Sequence, residues 1–139
     1  MSCVWSSDRT AVLRGVDERR ARGRVLVVDD DPCVRSVLGL ALREHEVVTA
    51  PDGREALALL RRRTDFDLVL CDVVMPTMGG AEFWAELATA HPDLRRRVVF
   101  MTGGVDSPRD RSFVASGEFE VLHKPISTSL LRRLVRHRL

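Results

Sequence analysis

Three short apolar runs, each followed at once by polar residues, most constrain what this chain of 139 residues can fold into. The runs and the residues after them are 25–28 with Asp29, Asp30 and Asp31, then 68–71 with Asp72, and 98–101 with Thr102, Gly103 and Gly104. Apolar runs of this kind are typical of strands buried on both faces of a parallel sheet. Parallel strands bring their carboxyl ends to one edge, where α/β proteins bind ligands. The sequence therefore predicts one polar site at that edge.

Strand patterns alternate with helical periodicity from residue 24 onwards. Strands are predicted at residues 25–28, 46–49, 67–71, 98–101 and 119–122, and helices are predicted to begin near residues 32, 53, 80, 109 and 128. The first helix should bury one apolar face made of Val34, Val37, Leu38, Ala41 and Leu42. Strands that alternate with helices form parallel sheets with right-handed crossovers and helices on both faces. We predict a doubly wound, five-stranded α/β domain.

The composition limits the chain to one domain and one site. A hydrophobic fraction of 45% supports a single core, which we place at residues 24–139, whereas residues 1–23 are predicted to be a flexible leader or linker. A net charge of +2 gives no sign of a nucleic-acid binder, and no apolar run approaches the about 20 residues of a membrane span. The three cysteines lack metal-ligand spacing and suit a reducing compartment. We expect a cytoplasmic protein that contacts no membrane.

The acidic side chains at the predicted edge favour a cation and phosphoryl chemistry. Asp29, Asp30 and Asp72 would repel one another there unless a cation lies among them. Carboxylate oxygens select hard cations, so we expect Mg²⁺ or Mn²⁺. One carboxylate can then act as a nucleophile toward phosphorus and form an aspartyl phosphate, a role that we assign to Asp72.

Lys124, Thr102 and Gly103 are the candidates for binding the phosphoryl group. Lys124 is the only lysine in an arginine-rich chain and leaves the fifth predicted strand at the same edge. Its ammonium and the hydroxyl of Thr102 can offset the charge on the transferring oxygens, while Gly103 leaves room for them. The plainer alternatives are a surface lysine, a polar strand end and a turn.

From about residue 24 onwards, the chain resembles the receiver domains of two-component response regulators. The resemblance rests on motifs in the family's order, namely Asp29-Asp30 after an apolar strand, Asp72 with Met75-Pro76 and Gly80 downstream, Thr102, and Lys124-Pro125. Residues 102–104 and 123–126 look most like receivers attached to hybrid histidine kinases.

This resemblance implies a flavodoxin-like sheet of strand order 2-1-3-4-5 and a cis peptide before Pro125. It implies that Asp72 accepts a phosphoryl group from a phosphohistidine of a histidine kinase or a histidine phosphotransfer protein. It also implies Mg²⁺ bound by Asp30, Asp72 and the backbone carbonyl of Val74, with Asp29 acting through water. The protein would catalyse its own phosphorylation and slow dephosphorylation without a separate substrate. A homodimer through helix 4, strand 5 and helix 5 fits the same resemblance.

Three positions depart from the family pattern. Val121 replaces the switch aromatic, so rotation of a ring at this position cannot carry the signal outward. Val74 and Gly104 stand where many members place polar side chains that tune hydrolysis. We therefore predict a long-lived phosphoryl group.

Two alternative functions follow from the same residues. Asp29 and Asp31 fit the Asp-x-Asp pattern of haloacid-dehalogenase-like phosphohydrolases, with Asp29 as the nucleophile and Asp31 as the general acid, although the chain is short and lacks the paired late acids. A phosphorylation-independent interaction module is the other alternative. The arginines of the last helix are interpreted as a solvated face or a partner surface, and no DNA binding is expected; they are Arg132, Arg133, Arg136 and Arg138.

Overall fold

A five-stranded parallel sheet forms the centre of the structure, which is a computed structural model that describes residues 22–139. Its strands are β1 (Arg24–Val28), β2 (Glu46–Ala50), β3 (Leu68–Asp72), β4 (Val98–Thr102) and β5 (Glu120–His123). All neighbours pair in parallel in the order β2-β1-β3-β4-β5. The predicted fold class and strand order are confirmed.

Five helices connect and follow the strands. They are α1 (Pro32–Ala41), α2 (Gly53–Leu60), α3 (Gly80–Ala90), α4 (Pro108–Ala115) and α5 (Thr128–Arg138), and a 3-10 helix (Pro92–Arg97) precedes β4. Four of them begin with a side chain that accepts a hydrogen bond from an N–H of the first turn, and these caps are Asp31, Asp52, Ser107 and Ser127. No helix within residues 22–139 is long and apolar enough to span a membrane.

Successive strand residues point to opposite sides of the sheet, so both faces carry apolar side chains. The helices cover both faces. Leu26 and Val28 of β1 pack into the core beneath α2, α3 and α4, whereas Val25 and Val27 pack into the core beneath α1 and α5. Every residue of β3 and β4 is buried, so these central strands are the rigid base from which the site residues project.

Several predicted boundaries and contacts differ from the structure. The third strand includes Asp72, because the ladder with β4 extends to this residue, and the fifth strand begins after Phe119, whose ring packs among other aromatic rings. Val37 was predicted on the buried face of α1 but is 58% exposed, since Leu38 and Ala41 fill the contact with the sheet. The predicted leader, residues 1–23, lies almost entirely outside the described residues.

Candidate phosphoryl-accepting site

Three carboxylates meet at the carboxyl edge of the sheet. Asp29 and Asp30 follow β1, and Asp72 ends the neighbouring strand β3. One oxygen from each carboxylate lies within 4.8 Å of the others. Asp29 is fully buried and Asp72 is 7% exposed, whereas Asp30 is exposed. The predicted convergence of these three acids is therefore present in the folded chain.

Asp29 is held by bonds to both of its carboxylate oxygens. Its Oδ1 accepts a hydrogen bond of 2.9 Å from the backbone N–H of Asp31, and its Oδ2 accepts one of 2.8 Å from Lys124 Nζ. Its own N–H continues the β1–β2 pairing by donating to the carbonyl of Ala50. The buried negative charge of Asp29 is thus satisfied within the protein.

Lys124 bridges two of the acids, although it lies 95 and 52 residues away from them in the sequence. Its Nζ is 2.8 Å from Asp29 Oδ2 and 3.2 Å from Asp72 Oδ2. The backbone N–H of Lys124 donates to the carbonyl of Thr102, and the following peptide bond to Pro125 is cis. Burial opposes the charged form of Lys124, but the hydrogen bond with Asp29 and the charge of Asp72 outweigh it and raise the pKa of the ammonium.

The environment of Asp72 disfavours an uncompensated negative charge. Burial raises the pKa of Asp72 above its usual value, the charge of Asp29 raises it further, and Lys124 acts in the opposite direction. The single ammonium of Lys124 therefore contacts two carboxylates, and Asp30 adds a third carboxylate to the cluster. A divalent cation would remove this imbalance, and three carboxylates are the donor set that suits a hard cation such as Mg²⁺. The three carboxylates therefore fit a Mg²⁺ ion.

Thr102 and the glycines after it form the second side of the site. Thr102 ends β4, is 4% exposed, and pairs with His123 of β5 just before Lys124. Its Oγ1 accepts a hydrogen bond of 3.1 Å from the N–H of Gly104, whose φ of 129° is one that side chains rarely adopt. A Cβ at Gly103 would lie 3.8 Å from Lys124 Cδ. This distance is an ordinary van der Waals contact, so the lysine stem itself does not require a glycine at position 103.

The segment after Asp72 turns sharply toward α3. Val74 is 51% exposed and so presents an apolar side chain to solvent close to Asp72. Thr77 has a φ of 66° between Pro76 and Met78, where the N–H of Met78 donates to the carbonyl of Pro76. Left-handed backbone is unusual for a β-branched residue.

Two residues near the start of α1 have roles that the sequence pattern does not predict. Asp31 caps α1 through a 2.9 Å bond from the N–H of Cys33 and is not part of the three-carboxylate cluster. Arg35 is not among the predicted site residues, yet its Nη1 donates to the backbone carbonyl of Asp29 at 2.7 Å. The only available signal was an arginine one helical turn after the acidic run.

The fold and the site define a doubly wound α/β domain with an acidic pocket at the carboxyl edge of its sheet. Residues 25–136 match the family model described as the response regulator receiver domain. The chain therefore belongs to the response regulator receiver family of two-component phosphorelay signalling. Receiver domains of this family bind Mg²⁺ at the acidic pocket and accept phosphoryl groups from histidine kinases.

Individual relatives agree with this assignment. The sensor kinase CckA from Brucella abortus is 35% identical over 118 residues, which is 83% of this chain and 12% of that protein. The chemotaxis protein CheY4 from Vibrio cholerae superposes with a TM-score of 0.69 at 31% identity, covering 86% of this chain and all of that one. The response regulator TrrA from Thermotoga maritima, solved with Mg²⁺-BeF, gives a TM-score of 0.68 at 31% identity and covers 84% of this chain and 99% of that one. The chain spans 12% to 47% of the length of the curated relatives that it matches.

Proposed function

We propose that this receiver accepts a phosphoryl group on Asp72 from a phosphohistidine and uses the phosphorylated state to change a partner or dimer surface. The observation that carries the proposal is the position of Lys124, whose Nζ contacts both Asp29 and Asp72 within a cluster of three carboxylates. Asp72 is the more accessible of the two carboxylates because 10% of its side chain reaches solvent, whereas that of Asp29 is fully enclosed.

The residues that would hold Mg²⁺, or Mn²⁺ in its place, are Asp30, Asp72 and the backbone carbonyl of Val74, with Asp29 acting through water. When bound, the cation neutralises part of the charge on the carboxylates and on the incoming phosphoryl oxygens. The exposed carboxylate of Asp30 gives the cation access from solvent, and Mg²⁺ retains several of its waters in such sites.

The transfer requires only a nucleophile and groups that stabilise charge. A carboxylate oxygen of Asp72 attacks phosphorus, and the new P–O bond forms as the P–N bond to the donor imidazole breaks. The imidazole nitrogen keeps the electron pair of that bond and takes up a proton from solvent. Lys124 and Thr102 would then bind phosphoryl oxygens, and Gly103 would leave room for them.

The donor would be a histidine kinase or a histidine phosphotransfer protein, consistent with a sensor kinase among the relatives. We further propose that residues 24–139 act as the receiver unit after a leader or linker at 1–23, in the cytoplasm and without contact to DNA or membrane. Phosphorylation would alter the surface of α4, β5 and α5, which is where a homodimer would form.

Phosphorylation of the purified chain by acetyl phosphate with Mg²⁺, followed by intact mass, tests the central claim. We expect one added phosphoryl group in the wild type and in Asp31→Asn, and none in Asp72→Asn. Size-exclusion chromatography with and without beryllofluoride tests the dimer. Peptide mapping that places the label on Asp29, or turnover of a generic phosphate ester, would support a phosphohydrolase instead. An unlabelled but folded wild type that still binds its partner would support the phosphorylation-independent module.

A further inference from the structure

Arg35 contacts the acidic turn but has no part in the proposed phosphoryl transfer. It lies in the first turns of α1 and is partly buried. Its guanidinium Nη1 donates a 2.7 Å hydrogen bond to the backbone carbonyl of Asp29, while its own N–H donates to the carbonyl of Asp31 as part of the helix. Arg35 therefore clamps the beginning of α1 onto the peptide unit that joins Asp29 to Asp30.

The orientation of this peptide unit decides where the carboxylate of Asp30 lies. Asp29 is fixed by several bonds, but the side chain of Asp30 makes no hydrogen bond or ion pair with any residue in the range 22–139. Asp30 is also exposed, so packing does not hold it. Its position within 4.8 Å of the other two acids therefore depends on the backbone on which it stands.

We infer that Arg35 is a positioning residue for divalent-cation binding, because its bond to the Asp29 carbonyl orients the carboxylate of Asp30 toward Asp29 and Asp72. This inference rests on the proposed function. The positive charge of a guanidinium that contacts the acidic turn also repels an incoming cation, so the two effects of Arg35 have opposite signs. If Arg35 acted only through its charge, removing it would tighten cation binding. If it acts by positioning, removing it weakens binding.

Mn²⁺ affinity measured by the electron paramagnetic resonance of free Mn²⁺ separates these cases. We expect Arg35→Gln to bind Mn²⁺ about tenfold more weakly than the wild type, the lower end of the effect of losing groups that orient metal ligands. Arg35→Lys keeps the charge and a donor and should lie within about threefold of the wild type. If Arg35→Gln does not fold, Arg35→Met, which keeps the aliphatic stem, takes its place with the same expectation.

The chain offers a matched control at the opposite edge of the sheet. Arg97 Nη1 donates to the backbone carbonyl of Phe66 at 2.7 Å and is also partly buried. Arg97→Gln removes the same charge and the same type of bond, but it should leave Mn²⁺ affinity within about twofold of the wild type because the bond is remote from the acids.

The rate of phosphorylation by acetyl phosphate provides a second readout that a purely structural defect would not reproduce. For Arg35→Gln, the Mg²⁺ concentration at half-maximal rate should rise about tenfold, while the rate at saturating Mg²⁺ stays within about threefold of the wild type. Unchanged or tighter Mn²⁺ binding in Arg35→Gln, or an equal loss in Arg97→Gln or Arg35→Lys, would overturn the inference. Failure of the wild type itself to bind Mn²⁺ would instead refute the proposed cation site.

Discussion

Replacing Gly80 by Ala tests how closely α3 must approach the phosphoryl-accepting strand. Gly80 is the first residue of α3, and its N–H donates to the carbonyl of Val73 at 2.8 Å. A Cβ on Gly80 would lie 2.9 Å from a ring carbon of Phe100 and 3.0 Å from both the Asp72 carbonyl oxygen and Val73 Cα. Two of these atoms belong to the backbone of the β3 end, so a rotamer change alone cannot relieve the crowding.

The expected cost follows from this crowding. Forcing one methyl group into a closely packed position costs about 1 to 3 kcal/mol of folding free energy. For a domain of this size, that loss corresponds to a fall of about 3 to 10 °C in melting temperature. Because the displaced backbone includes Asp72, the rate of phosphorylation by acetyl phosphate should fall together with stability.

Gly39 provides the control, because it is a glycine inside α1 whose Cβ would meet no heavy atom within 4 Å. Ala is the better helix former, so Gly39→Ala should stabilise the fold by about 0.5 to 1 kcal/mol. Urea denaturation of both variants measures the two free energies. The reasoning would be refuted if Gly80→Ala were as stable as the wild type, or if its free energy of unfolding rose as that of Gly39→Ala does.

Three further predictions concern hydrolysis, the cation and pH. Val74→Asn should speed dephosphorylation followed by loss of radiolabelled phosphate, because an amide at this exposed position can orient a water molecule; a slower variant would contradict the long phosphoryl lifetime. Mg²⁺ at a hundred times its Kd should stabilise the wild type against urea by about 2.7 kcal/mol, and Asp30→Asn should lose most of this gain; equal stabilisation of both would place the cation elsewhere. His45 is buried, its Nδ1 accepts a 2.9 Å bond from the Gly23 N–H, and burial lowers its pKa below the ordinary 6.5. The unfolded chain therefore binds more protons than the folded chain just below pH 6.5. The stability that neutral His45 contributes to the fold is complete above that pH and declines as the pH falls toward the lowered pKa. His45→Asn should reduce this fall in the free energy of unfolding, measured by urea titrations at several pH values. An unchanged fall would exclude His45 as its source.

The convergence of the acids and Lys124 was predictable because it depends on topology rather than on side-chain detail. Apolar runs that end in polar residues specify parallel strands, and parallel strands place their carboxyl ends together. Asp29, Asp72 and Lys124 needed no further information to meet at one edge. No sequence pattern specifies the exact positions of side-chain atoms. The two contacts of Lys124 Nζ and the full enclosure of Asp29 depend on those positions and could not be predicted.

The roles of Asp31 and Arg35 show where sequence patterns lose resolution. Three consecutive aspartates look equivalent in the sequence, but the chain changes from strand to helix within them. Asp31 consequently becomes the cap of α1, whereas Asp30 points into the cluster. The contact made by Arg35 depends on the phase of α1 relative to β1, and an error of one residue in the helix start would rotate Arg35 by about 100° away from Asp29.

The route by which a signal would leave the site must accommodate Val121 in place of an aromatic ring. The structure has a cluster of rings one layer below Thr102, where Phe100 of β4 contacts Phe113 of α4 at a centroid distance of 5.0 Å and Phe119 at 4.7 Å. No residue of α4 is fully buried, so this helix is held to the sheet mainly by partly buried side chains such as Phe113. An inward movement of Thr102 would pull the loop that leads into α4, and the weakly held helix can respond by shifting Phe113 against Phe100. We therefore expect the signal to leave through a shift of α4 over the ring cluster, without a rotating ring at position 121.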